Sequence, residues 1–351
     1  MTRVWLAVGV ALLLLGLIGI ARHLYRNSPR QRKLRTAAEA YADGLRFARS
    51  RQTAAAETAG RDALALWTEI GPAPALGVPA AELGRLLTEA GAHQAAITQL
   101  TAAEVVLAER ARVDSARFRP QLAALYTTRA AAEAELGAYA DALRYDGLAL
   151  PIWRALAADD PVTHELPLYS CLAGEARHFA GIGRVSEALA AAHEALAGLR
   201  SIVDADAYGR TDHRRRARTA IGRVLTEQAA YLLLADRDEQ ALRTAEEAER
   251  ATLADNDRDG LGQALATKAE CLLRLDRRTE AEAPAREALK IARLRVDARG
   301  DVARAAVLVA GALGRGDEAY LLAGEAVEIY EVLGGRHLAD LDVARDLLKS
   351  L

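Results

Sequence analysis

Residues Gly183–Leu196 read GRVSEALAAAHEAL, and fragments of this stretch return along the chain. Aligned on Ala188, the equivalent alanines are Ala56, Ala96, Ala142, Ala241, Ala281 and Ala319. Seven residues after each marker stands another alanine: Ala63, Ala103, Ala149, Ala195, Ala248, Ala288 and Ala326. Positions i and i+7 share a helix face, so each copy predicts a helix with a smooth stripe of small side chains.

Twelve residues before the markers lie Gly44, Gly84, Ala130, Ala176, Ala229, Ala269 and Val307, the small column of a preceding helix. Five residues before them sit Arg51, Gly91, Gly137, Gly183, Asp236, Asp276 and Gly314. Four of these seven are glycine, the residue favoured where a helix ends in the left-handed region before the chain reverses. Each unit therefore predicts a helical hairpin whose two members meet at small residues. Eleven residues after the markers, Trp67, Leu107, Trp153, Leu199, Thr252, Ala292 and Tyr330 extend the second helix with a column that is apolar in most units.

The composition of the 351-residue chain points the same way. It is 51% hydrophobic but only 5% aromatic, so alanine does the packing. Small side chains favour closely approaching helices over sheets, which draw on β-branched and aromatic residues, and the expected fold class is all-α. All of the 46 basic residues except Lys33, Lys268, Lys290 and Lys349 are arginine, and a formal net charge of −2 gives no global field toward nucleic acid. Cys171 and Cys271, the only cysteines, exclude a disulfide framework and read as small buried hydrophobes.

The repeat resembles the tetratricopeptide repeat (TPR), most clearly in ELGAYADALRYDGLAL (Glu135–Leu150) and GIGRVSEALAAAHEAL (Gly181–Leu196). Its longer period is similar to the kinesin-light-chain type and to long repeats of actinobacterial signalling proteins. The resemblance implies a right-handed superhelical solenoid of about seven hairpins over residues 28–336, closed by a capping helix at 337–351. Such units repeat because one hairpin cannot bury its apolar face alone. The resemblance also implies a concave surface, lined by the first helices, that takes a peptide or a partner's helix. Its inward columns fall on Arg85, Glu89, Thr127, Glu135, Arg177, Glu270 and Arg274. That lining is sparse and of mixed charge, without the Lys- and Asn-rich clamp by which some related proteins hold a peptide's terminal carboxylate. Pro284, three residues after its marker, predicts either a helix that starts late or one that kinks.

Residues 1–27 read differently. Val4–Ala21 is an uncharged apolar run that spans roughly 27 Å at helical rise, which predicts a transmembrane anchor. Only Arg3 precedes it, while Arg22, Arg26, Arg30, Arg32, Lys33 and Arg35 follow, so the positive-inside rule places the solenoid in the cytoplasm of a single-pass inner (plasma) membrane protein. The alternative is a signal peptide, cleaved after the small residues Gly19-Ile20-Ala21, and export. Ser28-Pro29 then supplies an N-cap with proline at the first helical position.

Other motifs carry less. In DNDRDGLGQALA (Asp255–Ala266), the spacing of an EF-hand loop breaks where its closing glutamate falls on Ala266, and the stretch reads as a turn capping the next helix. Cys171 and His178 share a helix face but lie roughly 10 Å apart, beyond nucleophile–base reach. His164-Glu165 and His193-Glu194 lack the second histidine of a zinc helix. No catalytic set, metal site or cofactor is expected. RTDHRRRARTAIGR (Arg210–Arg223) places Arg210, Arg214, Arg215, Arg216, Arg218 and Arg223 where a helix begins, against its dipole. It reads either as a solvated surface or as a basic patch for anionic lipid, nucleic acid or an acidic partner.

The function expected from these features is a bacterial, membrane-anchored TPR scaffold or adaptor that binds another protein or peptide through its concave surface, with membrane contact through residues 4–21. The alternatives are a peptide-responsive regulatory sensor, or a nucleic-acid or anionic-surface binder through residues 210–223. An enzyme with a small-molecule substrate is not expected.

Overall fold

The computed structural model describes residues 28–71, 73–205, 211–295, 298–334 and 337–351. Among them it contains fifteen helices and no strand. In chain order these are α1 (Pro29–Arg49), α2 (Thr53–Ile70), α3 (Gly77–Glu89), α4 (His93–Val113), α5 (Ser115–Glu135), α6 (Tyr139–Asp159), α7 (Pro161–Gly181), α8 (Val185–Asp204), α9 (Thr211–Leu234), α10 (Asp238–Ala254), α11 (Arg258–Arg274), α12 (Arg278–Arg293), α13 (Arg299–Leu313), α14 (Asp317–Leu333) and α15 (Leu338–Ser350). They form two compact units that divide between Glu135 and Leu136.

In the first unit α1 pairs with α2 and α3 with α4, and α5 packs on α4. In the second, α6 packs on α7, followed by the hairpins α7/α8, α9/α10, α11/α12 and α13/α14, with α15 against α14 and α13. The first helices of successive hairpins also touch one another: α1 with α3, α3 with α5, α7 with α9, α9 with α11 and α11 with α13.

The alanine columns set these contacts. All seven marker alanines have no exposed surface, and the column seven residues on is at most 2% exposed. A side chain that ends at Cβ lets two helix backbones close on each other, and the larger residues of the outer column, Trp67, Leu107, Trp153, Leu199 and Tyr330, fill the wider space at the hairpin's open end. Gly84 shows how tight the approach is: a Cβ there would stand 2.6 Å from Leu100 Cγ.

The reversals are more uniform than the glycines suggested. Gly91, Gly137, Gly183 and Gly314 are left-handed, and so are Arg51 (φ 58°), Asp236 (φ 53°) and Asp276 (φ 55°). Aspartate tolerates this region better than most residues, and Arg51 is the strained member of the set. Ser28 caps α1 by accepting from Gln31 N–H, Asp160 caps α7, and Asp257 caps α11 by accepting from Gly260 N–H. Pro284 lies inside α12, seventh from its start, so the late start does not occur.

The membrane reading is corrected. The run 4–21 lies outside the described residues. Among the described residues no helix is long and apolar enough to cross a membrane, because each long helix carries charged side chains on its outward face. The assignment as a single-pass inner-membrane protein with a cytoplasmic solenoid is therefore not carried further.

Candidate functional site

The charges expected to line the first-helix face are for the most part bound to the protein itself. In the first unit, Arg85 donates from Nε to Glu82 at 2.9 Å and also pairs with Glu89, all on α3. That hydrogen bond holds the Glu82 carboxyl below the usual carboxylate range. Thr127 donates to Ala123 C=O at 3.0 Å, and Glu135 is exposed at the end of α5.

In the second unit the same face carries a ladder between successive first helices. Arg177 on α7 lies 3.4 Å from Glu227 on α9. Arg274 on α11 donates to Leu233 C=O at the end of α9, at 3.0 Å, and to Asp236 at 2.7 Å, with Asp238 also 3.0 Å away. Arg304 on α13 donates to Glu270 on α11 at 2.7 Å and to Thr267 at 3.2 Å. Arg177, Glu270 and Arg274 are thus joints between repeats as well as surface charges.

The basic segment divides in two. Arg210 lies outside the described residues. Arg214 donates twice to Val203 C=O at the end of α8, Arg215 pairs with Asp212 at 2.6 Å, and Arg218 pairs with Asp255 at 3.2 Å. Arg216 and Arg223 are exposed, and neither makes a hydrogen bond or ion pair with the described residues. Both line an open cleft with Leu166 and Ser170 of α7, Thr219 and Ala220 of α9, and the turn Asp255, Asn256 and Asp257. Residues 216, 220, 223, 227 and 231 follow one another by three or four positions, so they form one stripe on α9. Ser170 and Arg177 stand two turns apart on the facing side of α7. The cleft and the Arg177–Glu227 pair are therefore successive parts of one trough between α7 and α9.

Beside this trough lies a buried polar cluster. Asp146 of α6 and His178 of α7 are 1% and 3% exposed, and His178 Nδ1 stands 2.6 Å from Asp146 Oδ2. Burial pushes the Asp146 carboxyl up, and the bond to His178 opposes that rise. Burial also carries Glu175 to about 7, helped by the charge of Asp146. Glu227 is raised by burial too, offset first by Arg177 and then by Arg223. Its Oε2 and the Tyr231 hydroxyl are enclosed without a hydrogen-bond partner among the described residues, a condition that costs about 1–3 kcal/mol per group.

Sequence reasoning found Arg177, Arg216 and Arg223 but not Asp146, Glu175, Glu227 or Tyr231. One signal for Asp146 was present. Four residues after each marker the chain has Gly60, Leu100, Asp146, Ala192, Ala245, Ala285 and Ala323, so a carboxylate alone interrupts a small or apolar column. His178 hydrogen-bonds Asp146, and Cys171 is buried higher on the same helix. Burial pushes the Cys271 thiol up to about 12. The aspartates of the EF-hand-like stretch act as a cap (Asp257) and as ion-pair partners (Asp255 with Arg218), as a turn reading requires. Among the described residues no group of three His, Cys, Asp or Glu side chains could hold a metal.

No family model matches the chain, and no curated protein matches it. Solved structures do. The apo form of RapI is similar with a TM-score of 0.61 at 10% identity, over 90% of this chain and 95% of that one. The apo form of the quorum sensor NprR from B. thuringiensis gives 0.52 at 15% identity, over 98% and 96%. The Rap conjugation gene regulator of the plasmid pLS20, in complex with the Phr* peptide, gives 0.52 at 13% identity, over 90% and 93%. Identities this low establish a shared fold, and that fold is a TPR-like helical repeat.

Proposed function

We propose that this chain is a TPR-like adaptor that binds another protein or a peptide, and that its working surface is the trough between α7 and α9. The observation that carries this reading is the contrast along one face. Arg177, Arg274 and Arg304 are tied to neighbouring helices, whereas Arg216 and Arg223 make no hydrogen bond or ion pair among the described residues and border an open cleft. In the first unit, Arg85, Glu89, Thr127 and Glu135 are secondary contact positions, because Arg85 and Glu89 must exchange an existing pair for any new one.

The test is photo-crosslinking in cells from an unnatural residue at Ser170 or Thr219, with exposed Leu321 on α14 as control. A discrete adduct from the two cleft positions and none from Leu321 is expected. Adducts from Leu321 alone would move the binding surface elsewhere.

A second reading, a peptide-responsive regulator, is supported by the cluster of Asp146, Glu175, His178, Glu227 and Tyr231 beside the trough. Groups held there without full hydrogen bonding give a ligand something to change. The fold likeness to a quorum sensor and to a regulator in complex with a peptide is compatible with it. A bound ligand that alters hydrogen exchange in α6 as well as in α7 and α9 would separate this reading from simple docking.

A further inference from the structure

Resting on the α7–α9 trough as the binding surface, we infer that its ligand is an acidic peptide segment with two carboxylates, one held by Arg216 and one by Arg223. Three features of the cleft support this ligand. First, neither guanidinium group is hydrogen-bonded or ion-paired among the described residues, and the carboxylates nearest the cleft are engaged elsewhere. Asp212 is bound to Arg215, Asp255 to Arg218, and Asp257 accepts from Gly260 N–H. A ligand carboxylate therefore meets planar five-donor groups without first displacing a protein carboxylate.

Second, the spacing is defined. Seven residues of helix separate Arg216 from Arg223, about 10 Å along α9. An extended peptide rises about 3.3 Å per residue, so two acidic side chains two to four residues apart reach both arginines. Third, the opposite wall is neutral: Leu166 offers apolar contact and Ser170 a hydroxyl that can donate. A stretch of peptide with acidic and small or apolar residues matches both walls.

A nucleic acid fits less well. Phosphate-driven binding draws on an uninterrupted cationic surface, whereas this cleft offers two unengaged arginines beside Asp255 and Asp257, enough for two carboxylates but not for a run of phosphates.

The experiment is affinity capture by the full chain, at low ionic strength, of a random octapeptide library whose ends are acetylated and amidated, so that only side chains carry charge. Mass spectrometry should find peptides with two Asp or Glu residues two to four positions apart enriched about tenfold or more over the input. The double variant R216A/R223A should lose that enrichment with unchanged helicity. Arg286→Ala, which removes an exposed charge on α12, should retain it. Enrichment that survives in R216A/R223A, or no acidic enrichment in the wild type, overturns the inference. So does displacement of the captured peptides by a single-stranded DNA oligonucleotide with a steep salt dependence. If crosslinks form from Thr219 while the captured peptides are neutral or basic, the α7–α9 trough stands as the binding surface and only the acidic assignment fails.

Discussion

His178 Nδ1 lies 2.6 Å from Asp146 Oδ2 with both side chains enclosed, so an ionisable, hydrogen-bonded pair joins α6 to α7 among buried apolar side chains. Removing one member strands the other. His178→Ala should destabilise the fold by about 3 kcal/mol, because it leaves a buried carboxyl without its donor. Asp146→Ala combined with His178→Ala should cost less than the sum of the single changes by at least about 1 kcal/mol. Urea denaturation of the four proteins measures the coupling, and strictly additive losses would show that the contact contributes nothing.

Arg51 and Gly183 occupy the same place in their hairpins, at φ 58° and 76°. A side chain beyond glycine in this region costs about 1–2 kcal/mol. Arg51→Gly should therefore stabilise the protein by about 1 kcal/mol, and Gly183→Ala should destabilise it by a similar amount. Opposite shifts in Tm are the expected result, and shifts of the same sign would refute the common turn geometry.

The carboxyl of Glu175 titrates near 7 in the folded protein against 4.5 for the free side chain. Between those values the folded chain keeps a proton that the unfolded chain has released, so this group makes stability fall as pH rises through the window. Glu175→Gln is neutral throughout and removes the fall. Relative to wild type, its Tm should improve from pH 5 to pH 7.5. Parallel pH profiles for the two proteins would mean that Glu175 is not held protonated.

Arg274, expected from the sequence on the groove face, and Arg223, expected in the basic segment, do different work in the structure. Arg274 closes the end of α9 through Leu233 C=O and two aspartates, so Arg274→Ala should cost about 1–2 kcal/mol. Arg223→Ala should change stability by less than about 0.5 kcal/mol. Differential scanning calorimetry separates the two, and equal losses would contradict the assignment of Arg274 as a joint.

The contrast between these arginines marks what a sequence of this kind discloses. Hairpins, their small columns and their reversals were legible because each depends on a residue's own size or backbone freedom, and the same requirement recurs in every unit. Ala188 must be small wherever its neighbour helix lies. The partners of Arg274, Arg214 and His178 were not legible, since a hydrogen bond to Leu233 C=O, Val203 C=O or Asp146 depends on distances between repeats. The exception is Asp146 itself, whose interruption of a small column could have been noticed. Arg51, Asp236 and Asp276 were hidden for another reason. Tight reversal is imposed on them by the hairpins on either side, so the local residue preference was overridden.

The columns headed by Ala56, Ala96, Ala142, Ala188, Ala241, Ala281 and Ala319 leave the architecture in the keeping of methyl groups that no ligand can touch. Instruction for shape and vocabulary for recognition are consequently written in different letters of the same chain. The exposed positions Arg216 and Arg223 of α9 can be rewritten without renegotiating how one hairpin meets the next. A protein made in this way can be readdressed to new partners at the speed of surface substitution, with its scaffold as the fixed grammar.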